Sequence, residues 1–147
     1  MRVFMTGALV GLIACAPSGP ADDRPPEEES DRLHLATSLV VRIQDDSVRF
    51  RLDVTNTSGE ALVLEFATAQ RVEFTVLGGT GAVEWRSSAD QMYAQVMGAD
   101  TIAPGATRSW EAAWEPGART GEWIATGTVS ALNQEIGLQT TFELLPD

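Results

Sequence analysis

The chain has 147 residues, of which 44% are hydrophobic and 21% are charged, a composition typical of a soluble globular protein. It carries 21 acidic and 10 basic residues, and the formal charge of −11 leaves no basic stripe for binding nucleic acid. Because there is only one Cys and one His, neither an intramolecular disulfide nor a Cys/His metal cluster can form. We therefore expect no nucleic-acid partner, no metal site and no cofactor.

The first fifteen residues, MRVFMTGALVGLIAC, have the pattern of an export signal. One Arg precedes an apolar run from Val3 to Ala14, which is too short to span a membrane and has the length of a signal-peptide core. The run ends in Leu-Ile-Ala-Cys, which resembles the lipobox of bacterial lipoprotein precursors. In such precursors the cysteine is lipidated, so the resemblance implies a membrane anchor at Cys15. An ordinary secretory signal or a buried free thiol is the alternative.

Residues 16–32 are predicted to form a disordered tether between the signal at 1–15 and a folded domain at 33–147. The segment holds six acids and four Pro but no large apolar side chain, so it cannot bury enough surface to fold. Ala16 after the cysteine resembles the pattern of lipoproteins sent to the outer membrane. The predicted location is therefore the cell envelope outside the cytoplasm, on the outer membrane where the cell has one.

From Leu33 onward, apolar and polar residues alternate with the period of two that is typical of half-buried β-strands. The clearest segment is VRFRLDV, which places on one inward face Val48, Phe50, Leu52 and Val54. Turn signals separate the segments at residues 56–59, 78–81, 104–105 and near 133. Seven or eight strands at this spacing predict an all-β chain folded as an antiparallel β-sandwich.

Two features of these strands allow more than one interpretation. Asn56-Thr57-Ser58 matches an N-glycosylation sequon, but the following Gly59 favours a turn. The Trp residues suggest stacking on sugar rings, but three of them fall on inward faces and favour core packing, namely Trp85, Trp110 and Trp114. The pattern does not assign Trp123 to the inward or the outward face of its strand.

The outward faces of the strands carry charges of both signs. Arg49 and Arg51 share one strand, and three acids lie on others, namely Glu65, Glu73 and Glu84. Cross-strand pairs of this kind contribute roughly 0.2–1 kcal/mol each. We therefore expect ion pairs on a solvated face.

The segment EWRSSADQMYAQVMG, residues 84–98, interrupts the alternation. Ser88-Ala89-Asp90-Gln91 has the form of a capping box, which predicts a short helix near residues 89–97. Met92, Tyr93 and Val96 would form its apolar side against the sandwich, and Gly98 would end it in a left-handed conformation.

The same segment also offers Ser87 and Ser88 as candidate nucleophiles. A serine needs an adjacent base, and no His or Lys lies near in sequence, since the chain's single His is His34. The segment also lacks the flanking Gly residues of a nucleophile elbow. We therefore predict no catalytic residue and no enzymatic activity.

The stretch from Val48 to Ala131 contains a Phe before a Gln, a Val-x-Trp strand, a Ser-led segment ending in aromatic-x-Gln, a Pro-Gly turn and two later Trp. In this combination of motifs it resembles the BsuPI-type intracellular proteinase inhibitor family. The family implies an Ig-like sandwich that binds proteins, with proteinase inhibition as the founding activity. The motif positions, which we expect to be structural, are Gln70, Phe74, Trp85, Ser88, Tyr93, Gln95, Pro104, Gly105 and Trp114.

The chain departs from the family pattern at several places. Ala69 stands where the family has Gly, so a left-handed turn there would be strained or reshaped. Val72 and Glu73 replace an aromatic residue and Asp, and the signal at Cys15 disagrees with the word "intracellular". Gln70 and Gln95 are expected to hydrogen-bond backbone groups and fix a corner rather than contact a ligand.

These observations together predict a membrane-anchored, extracytoplasmic module that binds a protein partner, with a proteinase as the candidate. The alternative is a structural or accessory lipoprotein of the envelope that inhibits nothing. An enzyme ranks third, because the sequence offers no convincing base, nucleophile or metal set.

Overall fold

The computed structural model describes residues 34–146, in which there are nine β-strands and no helix. The strands are β1 Leu35–Gln44, β2 Ser47–Asn56, β3 Leu62–Phe66, β4 Val72–Leu77, β5 Val83–Arg86, β6 Gly98–Ile102, β7 Thr107–Trp114, β8 Gly121–Val129 and β9 Ile136–Leu144. The all-β prediction is confirmed. The predicted count of seven or eight falls short of nine, and β6 is the strand that was missed, because it has almost no alternating apolar side chains and only Ile102 in it is fully buried.

The strands form three antiparallel sheets, ordered β1-β2-β7, β3-β6 and β5-β4-β8-β9. The register places the predicted inward residues of β2 in the core, where Val48, Phe50, Leu52 and Val54 are no more than 1% exposed. The alternation of β2 is therefore confirmed residue by residue.

Aromatic contacts show how two of the sheets face each other. The ring of Phe50 on β2 lies 6.1 Å from Phe74 on β4, 5.7 Å from Trp85 on β5 and 6.1 Å from Phe142 on β9. Complete burial of such a side chain contributes roughly 1.5–3 kcal/mol. The inner face of β1-β2-β7 thus packs on the inner face of β5-β4-β8-β9, which gives the expected sandwich-like fold.

The Asn56 side chain fixes the corner at the end of β2. Its Nδ2 donates to Glu60 O at 2.6 Å and to Ile102 O at 2.9 Å, while its Oδ1 accepts from the backbone N–H and the hydroxyl of Ser58. The residue is 1% exposed. The turn prediction is confirmed, and the amide nitrogen that a glycan would need is buried.

The Pro104-Gly105 turn closes the same corner from the other side. Ala106 N donates to Ala103 O at 3.0 Å, and Gly105 has a φ of 74°, the values of a turn with Pro second and Gly third. Gly105 N also donates to Asn56 O at 2.7 Å. The corner therefore joins β2 to the start of β7.

The connection between β8 and β9 covers the outer edge of β3. The Asn133 side chain accepts from Glu65 N and donates to Val63 O, both at 2.9 Å, and Leu132 N donates to Glu65 O at 2.7 Å. The predicted join near Asn133 is therefore correct.

Cross-strand ion pairing occurs as predicted, but the predicted partners are wrong. Arg51 contacts Asp53 on its own strand at 2.8 Å and Glu111 on β7 at 3.8 Å, while Glu84 pairs with Arg119. The expected partners cannot meet Arg49 or Arg51 across a ladder, because β3, β4 and β5 belong to other sheets than β2.

Candidate interaction site

The connection between β5 and β6, residues 87–97, is here called the 87–97 loop. Its first four residues form a turn, and residues 91–97 adopt no regular structure. The turn is held by hydrogen bonds from Ala89 N to Arg86 O at 3.2 Å and from Gln91 N to Ser88 O at 3.1 Å. The helix predicted near residues 89–97 is therefore wrong.

The carboxylate of Glu73 on β4 anchors the start of the 87–97 loop. Ser87 Oγ donates to its Oε1 at 3.0 Å, Ser88 N donates to the same oxygen at 3.1 Å, and the Ser88 hydroxyl donates to Oε2. Gln70 Nε2 donates to Oε2 at 3.2 Å. The Ser88 hydroxyl is directed to Glu73, and no backbone N–H of the described residues donates to it as a helix cap would require.

The electrostatics of this cluster favour anchoring over catalysis. Burial raises the pKa of the Glu73 carboxyl, but hydrogen bonds from Ser88, Ser87 and Gln70 outweigh burial and leave the pKa below its usual value. A lowered pKa makes the carboxylate a weaker base, so it is poorly suited to activate a serine hydroxyl. The cluster holds the loop in place.

Arg71 anchors the far end of the 87–97 loop. Its Nε donates to Asp100 Oδ2 at 2.9 Å, its Nη1 donates to Thr68 O at 2.8 Å, and its guanidinium lies 4.3 Å from the centre of the Phe66 ring. A Cβ added to Gly98 would come within 2.9 Å of Arg71 Nη2. Gly98 lacks the predicted left-handed φ, so the close approach of Arg71, and not the backbone conformation, favours a glycine here.

A third contact holds the middle of the loop. Ala69 N donates to Ala94 O at 2.9 Å, and Ala69 itself does not have a positive φ. The departure from the family's Gly at position 69 therefore causes no backbone strain. Between the anchors, an open cleft of about 350 Å³ is lined by residues that include Phe74, Trp85 and Tyr93.

The side chains of the loop point mostly into solvent. Met92 is fully exposed at 101%, Val96 is 64% exposed and Met97 is 76% exposed, while Tyr93 is partly buried. The predicted docking of Met92 and Val96 on the sandwich is therefore wrong. Without a helix there is no periodic apolar face, and these side chains cover no core residue.

The structure places the predicted motif residues in two groups. Around the 87–97 loop lie Gln70, Phe74, Trp85, Ser88, Tyr93 and Gln95. Gln70 donates to Val72 O at 3.3 Å as well as to Glu73, whereas Gln95 is exposed and donates only to Tyr93 O, at 3.4 Å. Pro104, Gly105 and Trp114 lie elsewhere, and Cys15 lies outside the described residues.

The tryptophans belong to the core, as their inward positions predict. Trp114 is 5% exposed, and Trp85 and Trp110 pack against the core cluster. Trp123, whose face the sequence leaves open, packs edge-on against Trp114 at 5.5 Å. No exposed tryptophan platform for a sugar ring is present among residues 34–146.

The sequence does not reveal the residues that position the loop. Glu73 and Arg71 look like ordinary outward charges on a strand and at its start, and only the replacement of the family's Asp by Glu73 marks that position.

Within residues 34–146, no three His, Cys, Asp or Glu side chains are grouped to hold a metal ion. The same stretch contains no helix with the length and apolar character needed to cross a bilayer.

Comparison with known proteins gives one family match. A family model described as BsuPI, intracellular proteinase inhibitor, matches residues 35–134. No curated protein matches.

Among the solved structures that match, three examples are remote in sequence. β-Glucosidase 3B from Thermotoga neapolitana is 12% identical with a TM-score of 0.43, over 77% of this chain and 16% of that one. A β-glucosidase from Kluyveromyces marxianus is 11% identical with a TM-score of 0.43, over 78% and 14%. Spo0M, a sporulation control protein from Bacillus subtilis, is 12% identical with a TM-score of 0.40, over 75% and 48%. These TM-scores are too low to indicate an activity.

Proposed function

Because the chain belongs to the BsuPI family of intracellular proteinase inhibitors, we propose that it is a proteinase inhibitor with no catalytic activity of its own. The observation that carries the proposal is the family match over residues 35–134, which extends from β1 through β8. The engagement of both candidate serines in structural hydrogen bonds agrees with it. The implied partner is a proteinase.

We further propose that the inhibitor is held on a membrane outside the cytoplasm. The lipobox-like ending at Cys15 and the acidic, Pro-rich residues 16–32 support this placement, although the family is described as intracellular. Acyl chains contribute about 0.8 kcal/mol per buried CH₂, and two chains are enough for stable anchoring. The domain would then meet proteinases of the cell envelope.

Lipidation is tested by labelling in a bacterial host. Cys15→Ser is expected to abolish incorporation of labelled fatty acid, while the unchanged chain is labelled. Equal labelling of both chains would refute the lipid anchor without affecting the inhibitor proposal.

Inhibition is tested by incubating the full-length chain in detergent with serine and metalloproteinases and measuring their residual activity. A stoichiometric loss of activity of at least one enzyme is expected. Full activity of every enzyme at micromolar excess of the chain would overturn the proposal. Crosslinking in cells that then recovers only envelope proteins would favour the accessory lipoprotein.

A further inference from the structure

We propose that the 87–97 loop is the segment that enters the proteinase cleft, with Met92 in the main specificity pocket, and that this pocket is apolar and uncharged. This inference rests on the proposed function, since that function supplies the proteinase as partner. Neither the family match nor the motif residues assign an inhibitory segment.

The first support is the concentration of exposed apolar side chains. Eight large hydrophobic side chains are exposed in residues 34–146, and three of them, Met92, Val96 and Met97, fall within six consecutive positions. Single exposed apolar side chains are ordinary on a soluble domain, whereas a concentration of them is typical of an interaction site. Met92, Val96 and Met97 are close in sequence and contribute little to the core, so this segment concentrates apolar surface that a partner can bury.

The second support is the state of the backbone. Outside the strand ladders, residues 92–97 make one backbone hydrogen bond to the rest of the described chain, at Ala94 O. Apart from Tyr93 O, which accepts from the Gln95 side chain, the other N–H and C=O groups of this irregular segment make no hydrogen bond within the described residues and can bond to a partner. Extended segments are recognised by main-chain hydrogen bonds together with pockets for individual side chains.

The third support is the fixation of the loop at both ends. Glu73 holds the turn at Ser87 and Ser88, and Arg71 lies against Gly98 where β6 begins. The hydrogen bond from Ala69 to Ala94 adds a point between them. A segment that is already held in place loses less conformational entropy on binding, which favours tight association.

The chemistry of the loop selects the class of proteinase. No charged residue occurs from Gln91 to Met97, in a chain with a formal charge of −11. A hydrophobic specificity pocket, as in chymotrypsin, accepts Met, whereas the trypsin pocket contains an Asp and requires a basic side chain. The loop therefore fits chymotrypsin-like proteinases and not trypsin-like ones.

The experiment measures the inhibition constant of the full-length chain against chymotrypsin and trypsin. The unchanged chain is expected to inhibit chymotrypsin only. Met92→Ala should weaken that inhibition by about 100-fold, as expected for a central anchor residue. Met92→Arg should transfer inhibition to trypsin.

Leu145→Ala is the matched control, because Leu145 is 74% exposed and lines a different cavity with Pro116 and Gly117. It should leave inhibition unchanged. Equal thermal midpoints for all variants would show that folding is intact, as expected for exposed side chains.

The possible results separate the two proposals. Unaltered chymotrypsin inhibition by a Met92→Ala/Val96→Ala/Met97→Ala variant would overturn the loop assignment and leave the inhibitor function standing. Inhibition of trypsin alone by the unchanged chain would overturn the predicted pocket class. If the unchanged chain inhibits neither these enzymes nor any in the wider panel, both proposals fail.

Discussion

The two connections that flank β6 differ in their hydrogen bonding and in the exposure of their side chains. The turn after it, around Pro104-Gly105, is short, and it is hydrogen-bonded to the backbone N–H and C=O of Asn56, a residue that is 1% exposed. The 87–97 loop before it has no regular structure and exposes Met92 completely. The backbone groups of the turn are hydrogen-bonded within the protein. The 87–97 loop is held by Glu73 at its start, and its apolar side chains are exposed to solvent. The bonded turn and the exposed loop that we propose as the recognition segment therefore lie at opposite ends of one short strand.

The largest loss of stability is expected at Asn56, in the corner to which the Pro104-Gly105 turn is bonded. Asn56→Ala removes a buried amide that makes two donor and two acceptor contacts, and it leaves Glu60 O and Ile102 O without that donor. We expect the free energy of unfolding to fall by about 3 kcal/mol, since each unsatisfied buried group costs ~1–3 kcal/mol. Urea unfolding measures the change.

Asn133→Ala is the control for this change, because Asn133 also bonds two backbone groups but is exposed. Asn133→Ala should lower the free energy of unfolding by less than half as much as Asn56→Ala. Equal losses for the two variants would show that burial of Asn56 does not matter.

A smaller effect is expected at the loop. Glu73→Gln replaces an oxygen that accepts from Ser87 or Ser88 with a donor, so the turn at the start of the loop loses its anchor. We expect a loss of about 2 kcal/mol, as for hydrogen bonds to a charged group, and faster proteolytic cleavage within residues 87–97. Glu65→Gln, at an exposed position on β3, should change neither quantity.

The same carboxylate predicts a dependence on pH. The pKa of Glu73 is lower in the folded chain than its usual value, so the unfolded chain binds the proton more readily. The stabilisation is fully present above the usual glutamate pKa of about 4.3 and is lost as the pH falls through the folded pKa. Glu73→Gln should flatten the acid limb of stability against pH. An unchanged acid limb would contradict the lowered pKa.

The smallest effect is expected where the loop joins β6. Gly98→Ala places a methyl group 2.9 Å from Arg71 Nη2, and the flexible end of that side chain can move aside. We expect a loss of about 1 kcal/mol from the disturbed contacts of Arg71, at the low end for overpacking. Gly79→Ala is the matched control, since no atom lies within 4 Å of its added Cβ and its φ is not positive. A larger loss for Gly79 would refute this account.

The contrast between turn and loop also explains which parts the sequence could predict. Alternation in residues 48–54 and the Pro104-Gly105 turn depend on neighbouring residues, so both are visible in the sequence. The loop depends on Glu73, fourteen residues before Ser87 and fifteen before Ser88, which accepts hydrogen bonds from both serine hydroxyls and from Ser88 N. A local pattern cannot show a contact with another strand. The predicted helix would place Met92 on the side facing the sheet, whereas in the loop Met92 is fully exposed.

The amide of Asn133 has a consequence for how copies of this chain coexist. It contacts the backbone of Val63 and Glu65 as an adjacent strand would, together with Leu132. An uncovered strand edge is a template on which a second copy can add its own strand, the first step of edge-to-edge aggregation. Asn133 and Leu132 occupy the middle of that template, so this edge of β3 offers fewer free backbone groups on which a second copy could add a strand.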